Sequence, residues 1–287
     1  MSLTQYLLVF FFSFSCISTP VMAEDKEAVA AMVLINAYNS GNPLPLVSQI
    51  HADTTIKQAY KIQKRFIQAR RAQGGKIAGF KAGLTSKKGQ KRFAIDQAVA
   101  GVLWQTGKHQ SQQIFNLSNY HRLMLETELG YQLATDITAP IDSIETLKTH
   151  ISAVLPIIEL PNLDFISMKG LTAVDLISAN VSAASFIVGT PYTDINNIDI
   201  NNIDINHIKT SLKNSDQTLI QGQGSDALGD QWQALLWVVN KMLAEGYSLQ
   251  KGQVVITGAL GKMVKAQTGN YTADFAELGQ ISFSIQP

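Results

Sequence analysis

Three short segments of this 287-residue chain hold side chains that could do chemistry. In Leu125-Glu126-Thr127-Glu128-Leu129-Gly130-Tyr131 polar and apolar residues alternate as in a strand, so Glu126 and Glu128 share one face and Leu125, Leu129 and Tyr131 the other. Two carboxylates on one face repel, and water, a bound cation or protonation of one member relieves the repulsion. Alone, such a pair reads more readily as a solvated strand face, where glutamate ordinarily sits. Glu159 changes the balance because it closes the apolar run Val154-Leu155-Pro156-Ile157-Ile158, the pattern of an interior strand. A buried carboxylate must be paired, protonated or bound to metal. Should the two strands be neighbours, three hard oxygen ligands converge, a donor set suited to Mg²⁺ or Mn²⁺ better than to Zn²⁺.

Lys81 lies in Gly79-Phe80-Lys81-Ala82-Gly83-Leu84-Thr85, between glycines that permit a bend or close approach to a ligand. It can neutralise a substrate carboxylate or relay a proton; a snorkelling surface lysine has the same spacing. Thr257-Gly258-Ala259-Leu260-Gly261 follows the apolar run Val254-Val255-Ile256, and such a turn can offer backbone N–H groups to an anion or be only a turn. Gly83, Leu84, Thr257 and Gly258 are therefore candidate substrate contacts. The five histidines have no ligand-like spacing, Gly222-Gln223-Gly224 lacks the setting of a dinucleotide site, and no phosphate loop or nucleophile elbow is present.

The elements that must position these residues follow from periodicity. Helical spacing predicts helices over 24–39 and from Thr55, an N-cap, to the stop at Gly74-Gly75. Beyond Lys76, short strands are predicted over 77–82, 123–133, 154–160, 185–188, 253–257 and 281–285. A clear helix is predicted over 231–243, with shorter ones over 172–178 and over 144–153, the last opened by Asp142 with Glu145 as its capping box. This mixture indicates an α+β fold with a mostly antiparallel or mixed sheet. The Asp/Asn/Ile repeat over 194–206 reads as an expanded surface loop, with weak calcium-binding character.

Lys and Arg number 23 against 22 Asp and Glu, so no basic field points to nucleic acid and a small-molecule substrate is the default. The apolar stretch from Tyr6 to Ile17, with the small-residue exit Val21-Met22-Ala23, predicts a signal peptide over 1–23 and export, to the periplasm in a bacterium, although no Lys or Arg precedes it. The stretch falls short of the ~20 apolar residues that span a bilayer. The one cysteine, Cys16, lies within it, which leaves a mature chain without disulfide, zinc thiolate or thiol nucleophile.

Taken in order, Thr55-Ile56-Lys57-Gln58-Ala59-Tyr60, the Lys81 segment, Asp96-Gln97, Glu126-Thr127-Glu128, Leu155-Pro156-Ile157-Ile158-Glu159, Asn180-Val181-Ser182, Gly224-Ser225-Asp226-Ala227-Leu228-Gly229-Asp230 and Thr257-Gly258-Ala259-Leu260-Gly261-Lys262-Met263-Val264 resemble the 2-keto-4-pentenoate hydratase branch of the fumarylacetoacetase superfamily. The resemblance implies a mixed β-sheet roll as catalytic core over 76–287, an N-terminal helical section over 24–75, and a homo-oligomer. It implies Glu126, Glu128 and Glu159 as ligands of Mg²⁺ or Mn²⁺, and Lys81 and Ser182 as catalytic residues. The implied activity is that of a hydro-lyase adding water to a small 2-hydroxy-2,4-dienoate, with the metal holding an enolate. A decarboxylase or carbon–carbon hydrolase of a related 2-oxo acid would use the same platform, and an exported non-catalytic oxo-acid binder would keep only its pocket. Three departures bear on this: Ala179 precedes Asn180 where an acidic residue is common, Asn162-Leu163-Asp164 stands where Asp-Ser-Arg is frequent, and Lys262 replaces the usual proline.

Overall fold

A computed structural model describes residues 25–193 and 204–287; the expected signal peptide and most of the Asp/Asn/Ile repeat lie outside these. Helices come first: α1 (Lys26–Asn39), α2 (Val47–Ile50) and α3 (Ile56–Ala72). Thr55 caps α3 in a full capping box with Gln58, and Ala59, Ile62, Phe66 and Ile67 form its buried stripe. The helix stops before Gly74, whose φ of +93° a side chain would resist.

The remaining elements are β1 (Ile77–Gly83), α4 (Lys87–Arg92), β2 (Val99–Trp104), β3 (Lys108–Gln110), β4 (Ile114–Asn116), β5 (Met124–Leu133), α5 (Ile144–Thr149), β6 (Ile151–Leu160), α6 (Ala173–Ser178), β7 (Ser185–Val188), β8 (Lys209–Asn214), β9 (Gln217–Gln223), α7 (Gln231–Ala244), β10 (Val254–Ile256), β11 (Val264–Lys265), β12 (Gly269–Asp274) and β13 (Gln280–Gln286). The larger sheet has the order β2-β1-β10-β5-β6-β7-β3, with β11 also on β5; the smaller has the order β4-β13-β12-β8-β9. Pairing is mixed: β1 with β10 and β3 with β7 are parallel, while β5 and β6 are antiparallel to each other. The α+β class read from the sequence is the one observed.

Alternation on β5 divides its residues between two environments. Leu125, Leu129 and Tyr131 enter the main core with Ile220, Tyr271 and Phe283 of the smaller sheet and Trp232, Leu235 and Val239 of α7. Thr127 faces the same way and reaches Thr210 of β8, hydroxyl to hydroxyl, at 3.3 Å. Glu126 and Glu128 are left on the opposite face, which elsewhere carries the apolar cluster of Leu155, Ile157, Val254 and Ile256. A separate cluster joins α1 and α3 to Leu176 and Ala179, at the C-terminal end of α6.

Two boundaries differ from expectation. Ser143, not Asp142, caps α5, accepting from the N–H of Thr146, and the helix ends at Thr149. Residues 151–153, predicted helical, instead pair with Leu133, Gln132 and their neighbours on β5, so strand pairing overrides local helical pattern. No helix among the described residues is long and apolar enough to cross a membrane.

Candidate active site

The register of β5 and β6 puts Glu126 directly opposite Glu159 and Glu128 opposite Ile157. One carboxylate oxygen from each of Glu126, Glu128 and Glu159 lies within 4.8 Å of the others. Glu128 and Glu159 are buried and Glu126 is half-buried, facing the adjoining cavity. The N–H of Gly258 donates to Glu128 Oε2 at 2.8 Å, but Glu128 Oε1 and Glu159 Oε2 are buried without a hydrogen-bond partner. Burial, reinforced by Glu159, raises the Glu126 pKa to about 7. Burial and then the charges of Glu159 and Glu126 push Glu128 well above the ordinary carboxylate range.

Lys81, near the middle of β1, is 2% exposed, and its ammonium forms an ion pair with Glu159. Burial works to lower its pKa, but Glu159, Glu126 and Glu128 outweigh that and hold it above the usual lysine value. The same ammonium donates to the carbonyl oxygen of Val181 at 3.2 Å. Three carboxylates share one ammonium, so two of them must take up a proton or share a cation to be buried here, and the orphaned oxygens have the same requirement. The residues fit a divalent cation held by Glu126, Glu128 and Glu159.

Val181 belongs to a strained turn. Asn180, Val181 and Ser182 have φ values of +55°, +51° and +55°, a left-handed run that a β-branched residue adopts only when its surroundings enforce it. The enforcement is visible. Asn180 clamps the turn to β2, accepting from Val102 N–H at 2.8 Å and donating to Val102 C=O at 2.9 Å. Gly101 makes room, since a side chain there would strike Asn180. The turn presents Ser182, whose buried hydroxyl oxygen has no hydrogen-bond partner and lines the cavity beside Lys81 and Glu126.

Gly83 and Leu84 line this cavity as well. Thr257 does not: its hydroxyl turns inward, donating to Gln231 Oε1 at 2.7 Å with the Leu129 carbonyl oxygen 3.2 Å away. Gly258 likewise serves Glu128 and not an open space; its φ of +111° and close packing on Thr85 exclude a side chain. Of these two expected substrate contacts, Gly258 braces Glu128 and Thr257 anchors the turn to Leu129 and Gln231, because the turn after β10 folds back onto β5. Leu260 N–H donates to Thr127 C=O at 2.7 Å and completes that attachment.

Sequence reasoning missed the cavity's apolar wall, formed by Phe93, Leu163, Met168, Leu171 and Met263. These residues come from loops and the edge of α4, where no period marks them. It also missed Gln231, fully buried, which accepts from both Thr257 and Tyr131 and donates to Gly224 C=O at 2.6 Å.

The fold is that of the fumarylacetoacetase superfamily. By sequence the chain is similar to 2-keto-4-pentenoate hydratases: it is 29% identical over 267 residues to that of Paraburkholderia phymatum, covering 92% of this chain and 99% of the relative. It is 26% identical over 250 residues to that of Paraburkholderia xenovorans, covering 87% and 90%. Among solved structures it superposes on 4-oxalocrotonate decarboxylase from Pseudomonas putida G7, complexed with magnesium and adipate, with a TM-score of 0.82 at 19% identity over 92% of this chain and 99% of that one. No family model matches the chain.

Proposed function

We propose that this chain is a divalent-metal-dependent hydro-lyase that adds water to a 2-hydroxy-2,4-dienoate. The observation that carries the reading is the convergence of Glu126, Glu128 and Glu159, two of them with orphaned buried oxygens, beside a charged lysine at the head of an apolar cavity. The similarity to 2-keto-4-pentenoate hydratases supports it. A hard divalent ion such as Mg²⁺ or Mn²⁺, when bound, supplies Lewis-acid charge for an enolisable 2-oxo acid.

Hydration requires loss of the 2-hydroxyl proton and protonation at C5, which leaves a double bond between C3 and C4 conjugated to the 2-oxo group. Hydroxide then adds at C4 and a proton at C3. Apart from the carboxylate ligands, Lys81 and Ser182 stand beside Glu126 with protons to exchange. Lys81, kept cationic by its three glutamates, attracts the substrate's carboxylate and donates a proton. Ser182, with no protein partner for its hydroxyl, orients the incoming water. The wall of Leu84, Phe93, Leu163 and Leu171 packs the diene and excludes bulk water, which strengthens each polar interaction at the head.

The test follows the ultraviolet absorbance of 2-hydroxypenta-2,4-dienoate with and without Mg²⁺ or Mn²⁺ and identifies the product. Metal-dependent formation of 4-hydroxy-2-oxopentanoate supports hydration; release of carbon dioxide or of a second acid, or metal binding without turnover, overturns it.

Export and homo-oligomerisation are part of the same proposal. Export rests on the leader-like residues before Glu24. Intact-mass analysis of protein made in a secreting host checks it, a chain beginning near Glu24 supporting export and an uncut chain opposing it. Light scattering gives the oligomeric state.

A further inference from the structure

On the other side of Ser182 lies a second cavity, of about 220 Å³, and Ser182 is the one residue common to its lining and that of the catalytic cavity. Its floor holds Arg70, from the last turn of α3. The guanidinium is sandwiched between two rings, 4.0 Å from the Trp104 centroid and 4.3 Å from that of Tyr38. Aromatic faces attract a cation but provide no acceptor for the five N–H donors of the fork. Among the described residues, no carboxylate pairs with this guanidinium and no hydrogen bond reaches it. Burial lowers its pKa. Lys61 and Arg65 on the same helix, by contrast, have the carboxylate partners Glu27 and Asp25.

The rest of the lining narrows the chemistry that would answer Arg70. Thr106, Tyr120 and Ser185 bring hydroxyls to the cavity, and those of Tyr120 and Ser185 are 3.3 Å apart, able to turn towards a ligand. Asp164 also lines it, 2.5 Å from His121, and its negative charge works against any anion, against a dianion such as phosphate about twice as strongly as against a monoanion. Leu44, Phe66 and Ala183 add apolar surface suited to a short aliphatic chain. A planar monoanion matches the guanidinium fork.

We infer that this cavity is a second ligand site, in which Arg70 binds the carboxylate of a small monocarboxylic acid, separate from the Glu126–Glu128–Glu159 centre. The inference does not depend on the hydratase reading, since nothing in it uses the carboxylate cluster.

Calorimetric titration of the full-length protein with butyrate, in excess Mg²⁺ and in the presence of saturating oxalate, a chelating dianion, to occupy the catalytic centre, tests it. Saturable binding is expected for butyrate and none for the isosteric neutral butyramide. Arg70→Met keeps the aliphatic stem between the rings and should weaken butyrate by roughly tenfold or more, the loss of a charge-assisted pair. Tyr120→Phe and Ser185→Ala, which leave Arg70 in place, should each weaken it less and serve if Arg70→Met fails to fold. Absence of saturable binding, equal affinity in all variants, or displacement of butyrate by oxalate would each overturn the second site. Failure of the hydratase assay with Arg70-dependent butyrate binding intact would leave this site standing.

Discussion

Glu126 and Glu159 are directly cross-strand partners on β5 and β6, two like charges at the separation where sheet pairing ordinarily avoids them. Lys81 on β1 is ion-paired with Glu159 and offsets the charge at Glu126 only in part, so the arrangement costs stability unless a cation or proton intervenes. Replacing Glu126 by Gln should therefore have opposite effects on two measurements. Affinity for Mg²⁺ by calorimetry should fall by roughly tenfold or more, while the melting temperature in a chelator should rise for Glu126→Gln. A variant with both values unchanged would show that the pair holds no metal.

Protons and metal compete for the same oxygens. With the Glu126 pKa raised to about 7 against an ordinary 4.5, the metal-free fold is favoured by the protonated form. Its stability contribution is complete below pH 4.5 and is lost as pH rises through about 7. Metal binding must release that proton, so Mg²⁺ affinity should climb between pH 6 and pH 8, by ~10-fold for each full proton released per pH unit. Melting curves against pH, in chelator and in Mg²⁺, should slope apart across this range; parallel curves would contradict the assignment.

Lys81 is the cation nearest the cluster, and removing it strands Glu159. Lys81→Met should cost about 3–5 kcal/mol in the metal-free protein, as for other buried pairs that lose one member. Excess Mg²⁺ should recover part of this in a denaturation experiment, and turnover should remain abolished. A variant that is both stable without metal and active would remove Lys81 from the mechanism.

The alternation in Leu125–Tyr131 and the apolar run before Glu159 made the carboxylate faces legible, because period-two patterning is local. Their meeting depended on register, set by pairing across some thirty residues of intervening chain, and no local pattern specifies it. Thr257 and Gly258 illustrate the limit from the other side. Their turn was evident in the sequence, but its fold back onto Thr127 and Glu128 is purely tertiary. Arg70 gave no signal at all among the other cations of a helix rich in them.

The left-handed turn at Asn180 to Ser182 persists because Asn180 satisfies both backbone groups of Val102. Asn180→Ala leaves that N–H and C=O unpaired in a buried place, at about 1–3 kcal/mol for each group. The turn should then relax, withdrawing Ser182 from the cavity and the Val181 carbonyl from Lys81. Activity should fall while Mg²⁺ affinity, set by the glutamates, stays near that of the parent; a proportionate loss of both would mean general unfolding instead.

Phe93, Met168, Leu171 and Met263 give the cavity an apolar wall. Arg92 is the one cation of the lining outside the head, and it is exposed, its guanidinium 5.6 Å from the Phe93 ring. An apolar substituent on the dienoate would thus be better accommodated than a second carboxylate. Each added methylene buried against this wall is worth ~0.8 kcal/mol, about fourfold in kcat/KM when the gain is realised in the transition state. Steady-state kinetics on 2-hydroxydienoates with hydrogen, methyl and propyl at C5 should show that rise, and Leu171→Ala should flatten it, with a smaller loss on the unsubstituted substrate. A preference for a terminal carboxylate that disappears in Arg92→Ala would instead make Arg92 the determinant of specificity.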